Sequence, residues 1–263
     1  MPASSAATCR TTPRSPTWPS CSGRPASTQQ PSRYPAGSGS TLPRVSPRSY
    51  LLDADTAAYV AAHCEPADPV HQEITAETAA RFPDATGMQI GPEQAALLTL
   101  LTRLTGARTA VEVGTFTGAS ALAIARGLAP DGRLTCCDVS EEYTSVARAA
   151  WERAGLADRI ELRIAPALDT LATLPEEPHV DLAFIDADKP SYPAYYDALI
   201  PRLRAGALLV VDNVLWGGRT VEPAAADADT AAIRAVNDRA VADPRVEVVL
   251  LPVADGLLLC RRR

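Results

Sequence analysis

The spacing of apolar residues along this chain changes after Thr105. From Tyr50 onward the apolar positions follow a helical spacing, which predicts helices over Asp53–Cys64, Glu73–Arg81 and Gly91–Thr105. Beyond these helices, short apolar runs alternate with longer amphipathic segments. This alternation is typical of a parallel sheet that is covered by helices on both faces.

The short apolar runs predict the strands of that sheet. They are Thr109–Val113, Arg133–Asp138, Ile160–Ile164, Val180–Ile185, Gly206–Val211, Val246–Leu251 and Leu257–Cys260. Further helices are predicted near Ala119–Gly127, Glu142–Ala154, Ala167–Leu174, Tyr192–Leu203 and Thr230–Ala242. The last two strands flank a Pro- and Gly-containing turn, which indicates a closing hairpin. We therefore predict an α/β fold with a Rossmann-like, doubly wound, seven-stranded sheet, mostly parallel with the last strand antiparallel.

Residues 1–45 differ in composition from the rest of the chain. They are rich in Ser, Pro, Thr and Arg and show almost no apolar periodicity. Such a segment buries too little apolar surface to offset the entropy of an ordered chain. We predict a disordered tail over residues 1–45, followed by one domain over residues 46–263 whose first helices form an N-terminal cap.

Charge and cysteine usage argue against several classes of protein. Residues 1–49 hold six of the 25 basic residues and no acidic one, so residues 50–263 carry 19 basic against 31 acidic residues. An acidic body argues against a nucleic-acid partner, and no apolar run reaches the ~18–20 residues of a membrane span. The six cysteines form no CxxC pair, which favours reduced thiols in a cytoplasmic protein over a zinc or disulfide framework.

A turn that contains two glycines follows the first predicted strand. Gly114 and Gly118 allow a tight turn into a helix, and Asp138 ends the next strand, where an acid can hold a ribose diol. Phe116 stands where a dinucleotide-binding turn needs its second glycine, and Glu112 before the turn repels phosphate. The pattern favours a cofactor with a ribose but no phosphate, such as S-adenosylmethionine.

Other interpretations of this turn remain open. A purely structural connection between strand and helix also accommodates two glycines and incidental acids. The rival enzyme is a nicotinamide-dependent oxidoreductase on a similar sheet, although Phe116 weighs against it. A catalytically inactive module that binds a nucleoside is a third interpretation.

Oxygen-bearing side chains follow the fourth and fifth predicted strands. Asp186 comes directly after Val180–Ile185, and Asp212 and Asn213 come directly after Gly206–Val211. One helix joins these strands, so we expect them to be parallel and to open into one crevice at their carboxyl ends. Three hard oxygen donors without Cys or His suit Mg²⁺, or else Mn²⁺ or Ca²⁺.

Each of these acids also has an ordinary explanation. Asp186 and Asp188 are of a type that commonly caps helices, and Asp212 with Asn213 resembles a common strand-end turn. The neighbouring Lys189 favours chemistry, because it is the one lysine of a chain whose other 24 basic residues are arginine. A lysine amine can become neutral and accept a proton, which a guanidinium cannot. Codon bias that leaves one surface lysine is the alternative explanation.

Taken in order, these motifs resemble those of the cation-dependent O-methyltransferases, the family that contains the caffeoyl-CoA and catechol O-methyltransferases. The resemblance spans about residues 46–263 and depends on an ordered set of short segments. The segments are Gly87–Glu93, Glu112–Ser120, Asp138, Ala165–Leu168, Phe184–Lys189, Val211–Trp216 and Asp255–Gly256.

The resemblance implies a role for individual residues. Lys189 is the expected base and Asp186 shares the catalytic centre, while Asp186, Asp212 and Asn213 are the expected metal ligands. The expected contacts of S-adenosylmethionine are Ile90, Glu112, Gly114, Thr115, Ser120, Asp138, Ala167, Asp186 and Asp188. A homodimer is expected by the same resemblance.

The implied reaction moves a methyl group from S-adenosylmethionine to one hydroxyl of a vicinal dihydroxy aromatic of the small phenol, flavonoid or hydroxycinnamoyl type. The metal orients the two oxygens, Lys189 takes the proton, and the phenolate attacks the methyl group. Two positions depart from the plant enzymes: Gly217 replaces an asparagine that faces the substrate, and Pro190 replaces a polar residue. A small phenol therefore suits the sequence better than an acyl-CoA thioester.

Overall fold

All seven predicted strands are present in the computed structural model, which describes residues 51–66 and 68–263. The strands are β1 (Thr109–Val113), β2 (Arg133–Asp138), β3 (Ile160–Ile164), β4 (Val180–Ile185), β5 (Leu203–Val211), β6 (Val246–Leu251) and β7 (Leu257–Arg262). Their order in the sheet is β3-β2-β1-β4-β5-β7-β6. Strands β1 to β5 pair in parallel, and β7 is antiparallel to both of its neighbours. The predicted sheet is therefore confirmed, whereas the tail predicted over residues 1–45 lies outside the described residues.

Helices precede the sheet and connect most of its strands. They are α1 (Ala54–Ala62), α2 (Pro69–Arg81), α3 (Pro92–Leu104), α4 (Ala119–Gly127), α5 (Glu141–Arg153), α6 (Ala167–Ala172), α7 (Tyr192–Leu199) and α8 (Ala228–Ala242). A 3₁₀ segment, Pro83–Met88, joins α2 to the stretch that enters α3.

Two helix boundaries differ from the prediction for local reasons. Helix α2 begins at Pro69 instead of Glu73, because Asp68 accepts a hydrogen bond from the Val70 N–H and proline suits a first helical position. Helix α7 ends before the predicted limit, and a 3₁₀ turn around Pro201 leads directly into β5. Proline has no N–H to continue the helical ladder, so the strand starts earlier than its apolar run suggested.

The core consists of two apolar layers, one on each face of the sheet. Ala110 of β1 belongs to the layer that contains Leu122 and Trp151, whereas Val111 belongs to the layer that contains Tyr196. Successive strand residues point to opposite faces, so β1 contributes to both layers. Burial on both faces explains why the central strands β1 and β4 are mostly apolar without alternation, whereas the edge strands β3 and β6 are partly exposed.

The winding of the sheet positions a crevice between β1 and β4. From β1 the chain proceeds outward to β2 and β3, and it then returns to the other side of β1 to form β4 and β5. The carboxyl ends of the strands on either side of such a switch point are where open α/β sheets bind ligands. Gly114 follows β1 and Asp186 follows β4, so both residues lie at this crevice.

Two further features of the described residues are the free thiols of the cysteines and the length and apolar character of the helices. Cys136, Cys137 and Cys260 are buried free thiols, as predicted, and Cys64 is half-buried and also free. No helix in the described part of the chain has the combination of length and apolar character that crossing a membrane requires.

Candidate active site

A cavity of about 1250 Å³ opens at the carboxyl ends of the parallel strands. With one exception, the residues predicted to contact cofactor or metal or to move a proton line this cavity. They are Ile90, Gly114, Thr115, Ser120, Asp138, Ala167, Asp186, Asp188, Lys189, Asp212 and Asn213. The exception is Glu112, whose side chain is buried beside the cavity. The structure thus gathers side chains from four strand ends into one space.

The turn after β1 is shaped by its contact with the end of β4. Gly114 has a φ of 89°, and a Cβ at this position would lie 1.9 Å from the carbonyl oxygen of Asp186. Only glycine fits both the left-handed backbone and the close carbonyl. Phe116 in the same turn also has a positive φ, 51°, and its ring lies edge-on to Tyr143 with centroids 4.8 Å apart.

Asp138 organises this turn from the end of β2. Its Oδ2 accepts hydrogen bonds from the backbone N–H groups of Thr115 and Phe116 at 2.9 and 2.8 Å. Its Oδ1 accepts the N–H of Ser140 at 2.8 Å. An ionised carboxylate has about four acceptor positions, and these three bonds leave one of them for a ribose hydroxyl while Asp138 holds the turn.

Glu112 is fully buried, and neither of its carboxylate oxygens has a hydrogen-bond partner. Burial raises the pKa of Glu112 to about 7, although the nearby side chains of Ser120 and Cys136 oppose the rise. Ser120 lines the cavity. An unpaired carboxylate directly behind the cavity wall suits a ligand that carries a positive charge.

Asp186 and Asp212 leave neighbouring strands at the same level. Ile185 of β4 pairs with Val211 of β5, so the next residue of each strand reaches the cavity side by side. Asp212 is only 2% exposed, and its Oδ2 accepts a hydrogen bond from Nε2 of Gln94 at 2.6 Å. Burial, and then the charge of Asp186, raise the pKa of Asp212 to about 8.

The oxygen donors at these strand ends fit a divalent cation. Two adjacent carboxylates that repel each other are a pair that such an ion neutralises. Asn213 lines the same cavity, with a φ of 58° that asparagine tolerates. Within residues 51–66 and 68–263, no three side chains of His, Cys, Asp or Glu group closely enough to hold a metal ion. An ion here would therefore depend on the Asn213 amide oxygen as its third protein ligand.

Lys189 points into the protein and is only 8% exposed. Its Nζ donates hydrogen bonds to Asp186 Oδ1 at 3.1 Å, to the Ala187 carbonyl oxygen at 3.0 Å and to the Tyr192 hydroxyl at 2.7 Å. The rings of Tyr192 and Trp216 have their centroids 4.8 and 5.6 Å from Nζ. The one lysine of the chain is thus a fixed amine on the cavity wall and not a solvated surface group.

Asp188 does not cap the short 3₁₀ helix that follows it. It occupies the position before that helix, but its side chain makes no capping hydrogen bond. Its Oδ1 instead accepts the hydroxyl of Tyr195 at 2.6 Å, and both residues line the cavity. Helix capping therefore does not explain why an acid stands at this position.

Comparison with known proteins agrees with this geometry. A sequence profile of the O-methyltransferase family matches residues 60–263. The chain belongs to the O-methyltransferase family. The resemblance inferred from the motifs is thereby confirmed at the level of the family.

Individual relatives of this O-methyltransferase extend over most of its described residues. The probable caffeoyl-CoA O-methyltransferase 2 of Dictyostelium discoideum is 42% identical over 171 residues, 64% of this chain and 74% of the relative. The caffeoyl-CoA O-methyltransferase 2 of Petunia hybrida is 34% identical over 223 residues, 81% of this chain and 88% of the relative. The crystal structure of the Bacillus cereus O-methyltransferase in complex with SAH matches with a TM-score of 0.72 and 33% identity, covering 78% of this chain and 96% of that one.

The sequence assigns no site role to three residues of the O-methyltransferase cavity or its wall. Gln94 contacts Asp212, Tyr192 contacts Lys189, and Asp255 lines the cavity. Gln94 had a detectable signal, since it shares the buried face of α3 with Leu98. A polar residue at helical spacing on a buried face needs a partner, and here the partner is Asp212.

Proposed function

We propose that this protein is a divalent cation-dependent O-methyltransferase that moves the methyl group of S-adenosylmethionine to one hydroxyl of a vicinal dihydroxy aromatic. One observation carries the proposal: Lys189 Nζ lies 3.1 Å from Asp186, in a cavity shared with Asp212, Asn213 and the Gly114 turn. Such a transfer needs a bound methyl donor, an oriented diol and a proton acceptor in one space. The family match favours it over the nicotinamide-dependent oxidoreductase.

S-adenosylmethionine suits the part of the cavity beside β1 and β2. The Gly114 turn and Asp138 offer backbone and carboxylate groups to a nucleoside, and Ala167 adds an apolar contact. Glu112 lies behind the wall without a hydrogen-bond partner, and a cationic ligand beside it would lower the pKa of this carboxyl from about 7 and favour its ionised form. The related Bacillus cereus enzyme was crystallised with SAH, the demethylated form of this cofactor.

Asp186, Asp212 and Asn213 would hold the cation, for which Mg²⁺ is the first candidate and Mn²⁺ or Ca²⁺ are alternatives. When bound, such an ion supplies a positive charge that lowers the pKa of a coordinated hydroxyl. The Gln94 amide donates to Oδ2 of Asp212 and the Asn213 N–H donates to Oδ1, so both oxygens of this carboxylate are held in place.

Lys189 is placed to receive the proton of the acceptor hydroxyl. Its contacts with Asp186, Ala187 and Tyr192 fix the position of Nζ at the cavity wall. In the neutral amine, two N–H groups keep their hydrogen bonds to Asp186 and Ala187, and the lone pair of the nitrogen takes the proton. The walls align the acceptor oxygen with the methyl group, and alignment of this kind can supply ~7–11 kcal/mol. No protein nucleophile is required. The phenolate oxygen forms a bond to the methyl carbon, the bond between this carbon and the sulfonium sulfur breaks, and the rest of the cofactor leaves as a neutral thioether.

A small phenol is the acceptor that the described cavity suits best. Among the described residues that line the cavity, Lys189 is the only Lys or Arg, and its amine is already hydrogen-bonded. The described wall therefore has no free cation for the phosphates of an acyl-CoA. By resemblance, we also propose a homodimer, which sedimentation of the purified protein tests. The cysteine usage leads us to propose a cytoplasmic location.

The test is methyl transfer from labelled S-adenosylmethionine to a panel of catechols, flavonoids and hydroxycinnamoyl thioesters. We expect turnover of a simple catechol with Mg²⁺ and its loss when a chelator is added. Absence of turnover throughout the panel, with Mg²⁺ or Mn²⁺ present, would instead support the inactive nucleoside-binding module.

Lys189→Ala tests the role of the amine in the same assay. We expect turnover to fall by at least about 100-fold, the lower end of the usual contribution of a general base, while the affinity for SAH changes little. Glu152→Ala, at an exposed position on α5, is the matched control and should keep full activity. Equal losses of turnover and SAH affinity in Lys189→Ala would remove this residue from the role of base.

A further inference from the structure

The segment that follows β5 has an unusual backbone. Of residues 213–218, which we name the β5 loop, Asn213, Trp216, Gly217 and Gly218 have φ values of 58°, 51°, 59° and 86°. Left-handed conformations at non-glycine residues persist only when surrounding structure enforces them. Since Asn213, Trp216 and Gly217 all line the cavity, whatever enforces this backbone also shapes the acceptor site.

The turn between β6 and β7 supplies most of that enforcement. The N–H groups of Val214 and Leu215 donate to the carbonyl oxygens of Gly256 and Asp255 at 3.1 and 2.9 Å. The N–H of Gly217 donates to Oδ1 of the Asp255 side chain at 2.7 Å. The contact is close, because a Cβ at Gly256 would lie 2.5 Å from Cγ of Leu215.

Side chains elsewhere hold only the first part of the β5 loop. Asn237 of α8 donates to the Val214 carbonyl oxygen at 3.0 Å, and Thr220 donates to the Leu215 carbonyl oxygen at 3.0 Å. Of the hydrogen bonds named here, the one between Gly217 and Asp255 joins two residues that both line the cavity, whereas Val214, Leu215 and Gly256 are not among the lining residues. A carboxylate is the stronger acceptor for such an N–H than a neutral oxygen.

We infer that Asp255 is a positioning residue, which through its hydrogen bond to Gly217 fixes Trp216 and the acceptor side of the cavity. This inference rests on the proposed function for its effect on catalysis. None of the contacts described above joins Asp255 to the Gly114 turn or to Asp138. Loss of Asp255 should therefore weaken binding of the acceptor and leave binding of the cofactor unchanged. Loss of Asp255 also changes the backbone of the β5 loop and the environment of the Trp216 ring. This change can be measured whether or not the protein transfers a methyl group.

The test compares Asp255→Ala with Asp255→Asn, which keeps an oxygen acceptor for the Gly217 N–H but removes the charge. In the alanine variant we expect KM for a simple catechol to rise about tenfold or more, with the affinity for SAH within twofold of the wild type. The asparagine variant should recover most of that loss. Asp158→Ala, at an exposed position remote from the cavity, is the control and should match the wild type.

A fluorescence measurement separates this inference from the proposed function. Emission of Trp216, obtained by difference from a Trp216→Phe background, should shift to the red in Asp255→Ala and remain near the wild type in Asp255→Asn. An unchanged KM together with unchanged Trp216 emission would overturn the inference, as would an SAH affinity that falls in parallel with KM. If the wild type methylates no catechol, the proposed function fails, and the emission shift alone decides whether Asp255 positions the loop.

Discussion

At the scale of single residues, Gly114 joins the turn after β1 to the end of β4. Gly114→Ala places a Cβ 1.9 Å from the Asp186 carbonyl oxygen and forces a left-handed φ on alanine. The φ costs about 1–2 kcal/mol, and overpacking costs about 1–3 kcal/mol, so we expect roughly 3 kcal/mol less stability. Urea unfolding followed by circular dichroism measures this loss.

A matched control separates the two costs at Gly114. Gly155 also has a positive φ, 67°, but a Cβ there meets nothing within 4 Å. Gly155→Ala should therefore show only the cost of the backbone, about 1–2 kcal/mol. Equal losses in the two variants would mean that the Asp186 carbonyl moves away freely, and the contact between the two strand ends would then have no rigid role.

The raised pKa of the buried Glu112 carboxyl leads us to expect that stability depends on pH. Its pKa rises from the ordinary 4.5 to about 7 in the folded protein, so folding favours the protonated form. Below about pH 4.5 the carboxyl is protonated in both states, and its ionisation then costs no free energy of unfolding. From there the loss of stability grows as the pH rises through 7, toward roughly 3 kcal/mol for this shift. Glu112→Gln lacks that cost. The variant should match the wild type in free energy of unfolding near pH 4 and exceed it near pH 8.

Urea unfolding of both proteins from pH 4 to 8 checks this dependence. Glu152→Gln, at an exposed position, is the control and should show no growing difference from the wild type. A difference between Glu112→Gln and the wild type that stays constant with pH would show that the Glu112 carboxyl ionises as readily in the folded protein as in the unfolded chain.

Sequence could identify the site residues that stand at strand ends, but not the side chains that hold them. Asp186 and Asp212 follow apolar strands, so the fold alone predicts that they meet. Gln94 reaches Asp212 from 118 positions away in the chain. The buried position of Gln94 in α3 indicates that it needs a partner. Which partner it finds depends on how α3 packs against the sheet, and no local pattern encodes that.

At the scale of elements, Asp68 stabilises α2 in two ways. Its Oδ1 caps the helix by accepting the Val70 N–H at 2.8 Å, and its Oδ2 accepts Nε of Arg126 on α4 at 2.8 Å. Asp68→Ala removes both interactions and should cost about 1–2 kcal/mol, mostly from the lost cap. Asp68→Asn keeps the cap and should lose no more than about 1 kcal/mol with the partly exposed ion pair.

Thermal unfolding of the two Asp68 variants measures these losses. Arg126→Met removes the ion pair but leaves the cap, so it should resemble Asp68→Asn. A loss in Asp68→Asn as large as that in Asp68→Ala would show that the ion pair, and not the cap, holds α2.

The elements themselves were predictable where one signal dominates. Apolar runs predicted all seven strands, most directly the central ones, because a strand buried on both faces has no polar side. The starts of α2 and β5 were misplaced, because capping by Asp68 and interruption at Pro201 outweigh apolar spacing there. Where the predicted limits failed, hydrogen bonding of a few backbone N–H groups set the boundary.

At the scale of the whole molecule, the sheet order creates the crevice, and the residues at its rim select the cofactor. Dinucleotide-binding enzymes share the order of the first five strands and therefore the crevice between β1 and β4, so this part of the architecture does not decide between the two cofactors. The decision falls to the turn after β1, where Phe116 replaces a glycine, and to the buried Glu112. Binding to the folded protein alone stabilises it by mass action, so thermal unfolding reports which cofactor fits.

We therefore expect SAH to raise the unfolding temperature and NADH to leave it unchanged. At a concentration 100 times its dissociation constant, a ligand adds about 2.7 kcal/mol. For a domain of this size that corresponds to a shift of roughly 5–11 °C. A shift with NADH and none with SAH would return the protein to the oxidoreductase interpretation. Adding Mg²⁺ should not be needed for the SAH shift, because the Gly114 turn, Asp138 and Ala167 are distinct from the expected metal ligands, which stand at the ends of β4 and β5.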